Sequence, residues 1–162
     1  MGFKLQLTAT LEGLTDLSPK DTQENPFEYT FLIECTQCRE QHDKEITINR
    51  FEKHEISGSR GEANFVFKCK NCRKESTISI ERTKNVYTIE DSGKSVDFLS
   101  IEARGLDIVK FLPENGFFIS KGAESITKFD DIDLSEGEFY DYDDNAGAEV
   151  SITDISWDIV RS

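Results

Sequence analysis

The chain has 162 residues, close to one ordinary domain and long enough to bury a core without a covalent staple. Its longest apolar runs span only a few residues, which excludes a transmembrane helix. Its net charge of −13 repels phosphate backbones and anionic lipid, so nucleic acid and membrane are poor partners from the outset. Ile, Val and Thr total 33 against 17 for Ala, Leu and Met, a balance that favours strands over helices.

From Phe3 to Leu11 the residues Leu5, Leu7, Ala9 and Leu11 share one face and Lys4, Gln6, Thr8 and Thr10 the other, the period of a half-buried strand. Gly13, Ser18 and Pro19 are read as its end, and Asp21 to Pro26 as a polar loop. A second strand is predicted over Phe27 to Glu34 and ends directly at Cys35. Glu45 to Phe51 is a short strand, Gly58-Ser59-Arg60-Gly61 a turn, and Ala63 to Lys68 a strand leading into Cys69. Glu75 to Glu81, Val96 to Ala103, Gly116 to Ser120 and Glu149 to Val160 complete the set. No stretch of ten or more residues carries a helical period with caps, so the expectation is an all-β fold.

A weak repeat runs through the chain. Leu5, Leu7, Ala9, Leu11, Gly13, Leu14 and Leu17 match Asp97, Leu99, Ile101, Ala103, Gly105, Leu106 and Val109 in spacing, with Pro19 and Pro113 following. The repeat predicts two related β halves packed as one body, about 1–81 and 82–162. The first half has 14 acids and 11 bases, the second 18 and 8, so most of the negative charge lies in the second. Within it, Asp130 to Glu149 holds nine acids and no base. Such a run is read as a solvated segment, with Phe139, Tyr140 and Tyr142 available to fold back onto the core. Asp141, Asp143 and Asp144 lack the glycine and closing glutamate of a calcium loop.

The chemistry rests on two C-x-x-C pairs, Cys35-Thr36-Gln37-Cys38 and Cys69-Lys70-Asn71-Cys72. Met1 to Leu11 alternates instead of forming an export signal, so the expected compartment is the cytoplasm or nucleus, where thiols stay reduced. Four cysteines there are better explained by metal than by disulfides. Two residues between cysteines let both sulfurs face one ion from a tight turn, and two such turns complete the thiolate tetrahedron of a structural zinc site. Each pair follows a strand, as in a zinc ribbon. The predicted ligands are Cys35, Cys38, Cys69 and Cys72, with one Zn²⁺ per chain. His42 and His54 lie between the pairs but are not needed as ligands, and are read as exposed loop residues. Nine bases against six acids lie between Cys35 and Lys74; they are read chiefly as compensation for a doubly negative zinc–thiolate cluster. Trp157, in the last strand, is assigned to packing. No phosphate loop, nucleophile elbow or metalloprotease motif is present, so no catalytic residue is assigned.

These features resemble the eukaryotic CXXC motif-containing zinc-binding proteins. The resemblance rests on Leu5 to Glu12, the two cysteine pairs, Gly58-Ser59-Arg60-Gly61 before the second pair, Arg104-Gly105-Leu106 with Phe111 and Pro113, and Asp133-Leu134 followed by Tyr140-Asp141-Tyr142-Asp143. It implies an all-β body of two similar halves with zinc at the positions of Cys35, Cys38, Cys69 and Cys72. Relatives often carry a further cysteine where this chain has Ala103. The family brings no established enzymatic activity. The expectation is one zinc-binding domain over 1–162: a monomeric, non-enzymatic protein that binds another protein and neither nucleic acid nor membrane. The alternative is a metal-handling protein that passes or senses Zn²⁺ or Cu⁺ through its thiolates.

Overall fold

The computed structural model describes residues 2–39, 45–56, 61–114 and 116–162. Their strands are, in chain order, β1 (Gly2–Glu12), β2 (Leu14–Pro19), β3 (Tyr29–Cys35), β4 (Ile46–Ile48), β5 (His54–Glu55), β6 (Glu62–Ala63), β7 (Phe65–Lys68), β8 (Glu75–Arg82), β9 (Ser95–Arg104), β10 (Leu106–Leu112), β11 (Phe118–Gly122), β12 (Lys128–Ile132), β13 (Phe139–Asp143) and β14 (Ala148–Arg161). One short 3₁₀ turn, Ile89–Asp91, is the only helical element among the described residues. The all-β expectation therefore holds. The turn predicted at Gly58 to Gly61 falls, apart from Gly61, outside the described residues.

A six-stranded antiparallel sheet has the order β13-β14-β1-β9-β8-β7, and two three-stranded sheets have the orders β10-β3-β4 and β12-β11-β2. One apolar cluster draws on all three sheets. Phe3, Leu5, Leu7, Ala9 and Leu11 of β1 enter it from one face, as their spacing requires, and meet Tyr29, Phe31 and Ile33 of β3 and Phe118 of β11 in the same core. Trp157 packs as its position suggested. Its ring meets Phe111 at 4.9 Å and Phe118 at 5.6 Å between centroids, and so joins the long sheet to both short ones.

The order of the long sheet reads the same from either end once β1 is matched with β9, β8 with β14 and β7 with β13. The same matching carries β10-β3-β4 onto β2-β11-β12. The sequence repeat is therefore a repeat of structure, and the halves interlock: β3 of the first pairs with β10 of the second, and β11 of the second with β2 of the first.

Gly13 and Gly105 are the matching corners where the chain leaves the long sheet for a short one. Both have left-handed backbones, with φ of 70° and 85°. A side chain would also collide there: a Cβ at Gly13 would lie 2.7 Å from Val150 Cγ1, and one at Gly105 2.6 Å from Ser76 Oγ.

Five strands depart from the sequence reading: β2, β10, β12, β13 and the two-residue β5, where His54 stands in a strand and not in a loop. In the sequence reading Gly13, Ser18 and Pro19 mark the end of the first strand and the strand from Val96 stops at Ala103, so β2 and β10 have no counterpart there. Each contains an irregularity that breaks the two-residue period, between Ile108 and Lys110 in β10 and opposite Ile119 to Lys121 in β2. β13 lies inside the acidic run and β12 runs into it, so the run is not simply a solvated segment: Ile132, Leu134 and Asp143 are buried in it.

Candidate metal centre

β3 pairs with β10 up to Cys35, opposite Leu106, and so fixes the first cysteine at a sheet end. The chain then turns tightly. The Arg39 N–H donates to the Cys35 carbonyl at 2.9 Å, and Arg39 takes a φ of 60° to allow it. The second turn, between β7 and β8, repeats this design: the Arg73 N–H donates to the Cys69 carbonyl at 2.9 Å and Arg73 has a φ of 66°. The two motifs are thus C-x-x-C-Arg turns of one build. The Thr36 N–H donates to the Gly105 carbonyl at 3.2 Å, pinning the first turn to the corner after β9. The antiparallel ladders β8–β9 and β7–β8 bring the second turn to the same end of the molecule.

All four sulfurs lie within 4.8 Å of one another, and no imidazole or carboxylate of the described residues joins the group. Cys35 Sγ and Cys72 Sγ are 3.5 Å apart, and Cys38 Sγ and Cys69 Sγ 3.7 Å. Those distances are far too long for disulfides, and none joins these four cysteines. A tetrahedral ion with Zn–S bonds of about 2.3 Å needs sulfurs about 3.8 Å apart, which the group already approaches. The donor set thus fits one Zn²⁺. Cys35 and Cys69 are buried, and Cys38 and Cys72 are half-buried. The Lys74 backbone N–H draws the Cys72 thiol downward, but loss of water and the neighbouring thiols outweigh it and push that thiol up to about 11. A thiol binds metal as the thiolate, so metal entry at this site releases protons.

His54 lies in β5, exposed, with Nε2 3.7 Å from the Glu52 carboxylate and outside the sulfur group. His42 lies outside the described residues. Two of the basic residues of this region are taken up by carboxylates. Arg39 pairs with Asp107 at 3.2 Å and Arg50 with Asp21 at 2.9 Å, while Lys68, Lys70, Arg73 and Lys74 are exposed on and beside the second cysteine turn. Lys44 and Arg60 lie outside the described residues.

In the acidic run, Tyr140 and Tyr142 are 64% and 48% exposed, so the tyrosines do not fold onto the core. With Glu12, Asp141 and Glu149 they line a shallow groove of about 470 Å³ along β13, an edge strand of the long sheet. Asp143, by contrast, is fully buried. Sequence reasoning placed it among solvated acids, because nothing in its own neighbourhood marks it as different.

The architecture and the sulfur group define an all-β protein with four cysteines positioned to hold one metal ion. Residues 4–160 match the family model for the eukaryotic CXXC motif containing zinc binding protein, and the chain belongs to that family. It is 47% identical over 160 residues to UPF0587 protein C2D10.03c of Schizosaccharomyces pombe, covering 99% of this chain and 98% of that protein. It is 37% identical over 158 residues to the human CXXC motif containing zinc binding protein, covering 97% and 96%. The crystal structure of C1orf123 superposes over 100% of both chains with a TM-score of 0.90 and 36% identity. A hypothetical protein from Plasmodium falciparum shares the fold over 98% of this chain and 99% of its own, with a TM-score of 0.86 and 28% identity.

Proposed function

We propose that this chain is a non-enzymatic zinc protein of the cytoplasm or nucleus. Its ion is a structural cross-link held by Cys35, Cys38, Cys69 and Cys72, and it works by binding another protein. The observation that carries this reading is the closed donor set: four sulfurs within 4.8 Å of one another, with no other donor of the described residues in the group. A catalytic zinc instead keeps a position for water or substrate, usually beside imidazole or carboxylate ligands. The ion would tie the end of β3 to the β7–β8 turn and so lock one end of the first half. The exposed Tyr140 and Tyr142 on an acidic edge strand offer a partner apolar area with a charged rim. Protein purified without added metal should carry about one Zn²⁺ per chain, and the intact chain, used as bait, should retain a partner whose capture does not require metal exchange. Metal-free protein, or capture that follows loaded metal instead of fold, overturns the proposal.

The half-buried Cys38 and Cys72 favour a second reading, in which the site passes Zn²⁺ or Cu⁺ to a partner, since thiolates also suit Cu⁺. Isotopic zinc exchange separates the two: exchange over hours to days supports a structural ion, and exchange within minutes supports handling.

A further inference from the structure

We infer that the second half keeps a metal-free counterpart of the cysteine site, in which the Asp143 carboxylate ties together the two turns that an ion would tie in the first half. The strand registers identify the positions. Cys35 lies opposite Leu106, the residue after corner Gly105; Gly122 lies opposite Leu14, the residue after corner Gly13. Gly122 therefore matches Cys35, and Ser125, three residues on, matches Cys38. In the other turn, Lys68 pairs with Glu75 and Tyr142 with Glu149, so the loops between have the same length. Asp143 then matches Cys69, and Ala146 matches Cys72.

The backbone repeats at these positions. The Ala123 N–H donates to the Gly13 carbonyl at 2.9 Å, as the Thr36 N–H does to Gly105. The Gly147 N–H donates to the Asp143 carbonyl at 2.8 Å, as the Arg73 N–H does to Cys69, and Gly147 has a φ of 67° beside 66° for Arg73.

What differs is the occupant of the space between the turns. Ser125 Oγ donates to Asp143 Oδ2 at 2.5 Å and Thr127 Oγ1 to Asp143 Oδ1 at 2.5 Å. The Asn145 and Ala146 N–H groups donate to the same Oδ1 at 3.1 and 3.2 Å, and the Asn145 amide donates to Thr127 Oγ1 at 2.7 Å. One fully buried side chain thus binds its own turn and the turn after β11. Gly122 must be glycine for this to work, because a Cβ there would collide with Ser125 Oγ and the Asp143 carboxylate. The hydroxyls of Ser125 and Thr127 hold the Asp143 carboxyl below its ordinary value, as expected of a group that works ionised. A carboxylate taking four donors supplies converging bonds across the gap, which is what an ion surrounded by four thiolates supplies on the other side.

Two measurements on the full zinc-loaded chain test this. In Asp143→Asn, the amides of Thr127, Asn145 and Ala146 should exchange at least about tenfold faster, while the turn at 69–74 and the zinc content stay unchanged. Unchanged exchange at those three amides in the folded variant overturns the inference. The fourfold variant Gly122→Cys, Ser125→Cys, Asp143→Cys, Ala146→Cys should raise zinc content from about one to about two per chain. A folded fourfold variant that still holds one zinc would show that the two frames are not equivalent. If that variant fails to fold, the exchange pattern of Asp143→Asn decides alone.

Discussion

Arg50 holds Asp21 at two points: its Nε lies 2.9 Å from Asp21 Oδ2, and a second guanidinium nitrogen donates to the Asp21 carbonyl at 2.9 Å. The Asp21 side chain is fully buried and also accepts the Tyr29 hydroxyl at 2.7 Å and the Phe27 N–H at 3.2 Å. This one carboxylate joins the loop before β3, β3 itself and the turn after β4. Burial first, and then the Asp21 charge, push the Tyr29 hydroxyl well above its usual range. Arg50 is therefore a structural member of the first half, and cannot be counted as a free cation for an anionic ligand.

Truncating that pair should show an asymmetry. Asp21→Ala leaves a guanidinium and a buried phenol without their acceptor and should cost about 3 kcal/mol. Arg50→Ala removes a group that is one-third exposed, with 33% of its side chain in contact with solvent, and should cost about 1–2 kcal/mol. Urea denaturation of the two variants checks this; equal losses would show that Asp21 acts only through Arg50.

Cys69→Ser should loosen the protein along the interlocked strands instead of along the sequence halves. Structural zinc supplies roughly 10–16 kcal/mol of apparent binding free energy in small peptides, but this chain has its own core and should lose only part of its stability. Hydrogen exchange should rise in β3, β7 and β8, and also in β10, which belongs to the second half but pairs with β3. β11, β12 and β13 should stay protected. Uniform protection in the variant would show that the metal is peripheral.

The Asp143 carboxyl gives a pH dependence whose sign is fixed. Its folded value lies below the ordinary 3.8, with the Ser125 hydroxyl the largest cause, so the unfolded chain binds this proton more readily. The stability it contributes is fully present above the unfolded value of about 4 and is lost as pH falls through the folded value. The stability difference between the natural chain and Asp143→Asn should stay constant from about pH 5 to 8 and shrink below about pH 4. A difference that persists undiminished at low pH would place the effect in shape instead of charge.

The sequence was most legible where the period of two is unbroken. β1 and β8 follow from alternation, and the cysteine turns from spacing alone. β2 and β10 were hidden because bulges shift their register, so their apolar residues do not alternate. β13 was hidden by composition, since three of its five residues, Phe139, Tyr140 and Tyr142, read as rings scattered among acids. Asp143 was invisible because its role depends on a turn 18 residues away that only the fold brings near. The repeat keeps an offset of 92 residues from Leu5 to Val109, which sets Cys69 against Arg161; only the strand registers align Asp143 with Cys69.

Nucleic acid should bind no better than nonspecifically. The excess of nine bases over six acids between Cys35 and Lys74 is small beside a total of −13, and at least two of those bases, Arg39 and Arg50, already face carboxylates. With a Debye length of about 8 Å at physiological salt, the exposed lysines of the second cysteine turn act only locally. An anisotropy titration with RNA or duplex DNA should show nothing tighter than about 10⁻⁴ M. Submicromolar binding with a steep salt slope would instead make Lys68, Lys70, Arg73 and Lys74 a binding face.

The proposed partner surface can now be tested without disturbing the fold. The acids of the run divide into two kinds. Asp143 is buried and holds two turns together, so it must be left alone; Glu138, Asp141 and Asp144 are exposed beside Tyr140 and Tyr142. β13 is an edge strand, so its outer backbone groups are open to an extended segment, and its charge selects a basic one. Rings would supply buried area and carboxylates would speed encounter. Glu138→Gln, Asp141→Asn and Asp144→Asn together should leave zinc content and thermal stability unchanged while slowing association with the captured partner and flattening its salt dependence. Tyr140→Ala with Tyr142→Ala should mainly speed dissociation. If neither variant alters capture, this edge is only a solvated strand and the partner binds elsewhere, with the turn that carries Cys69 and Cys72 the next surface to substitute.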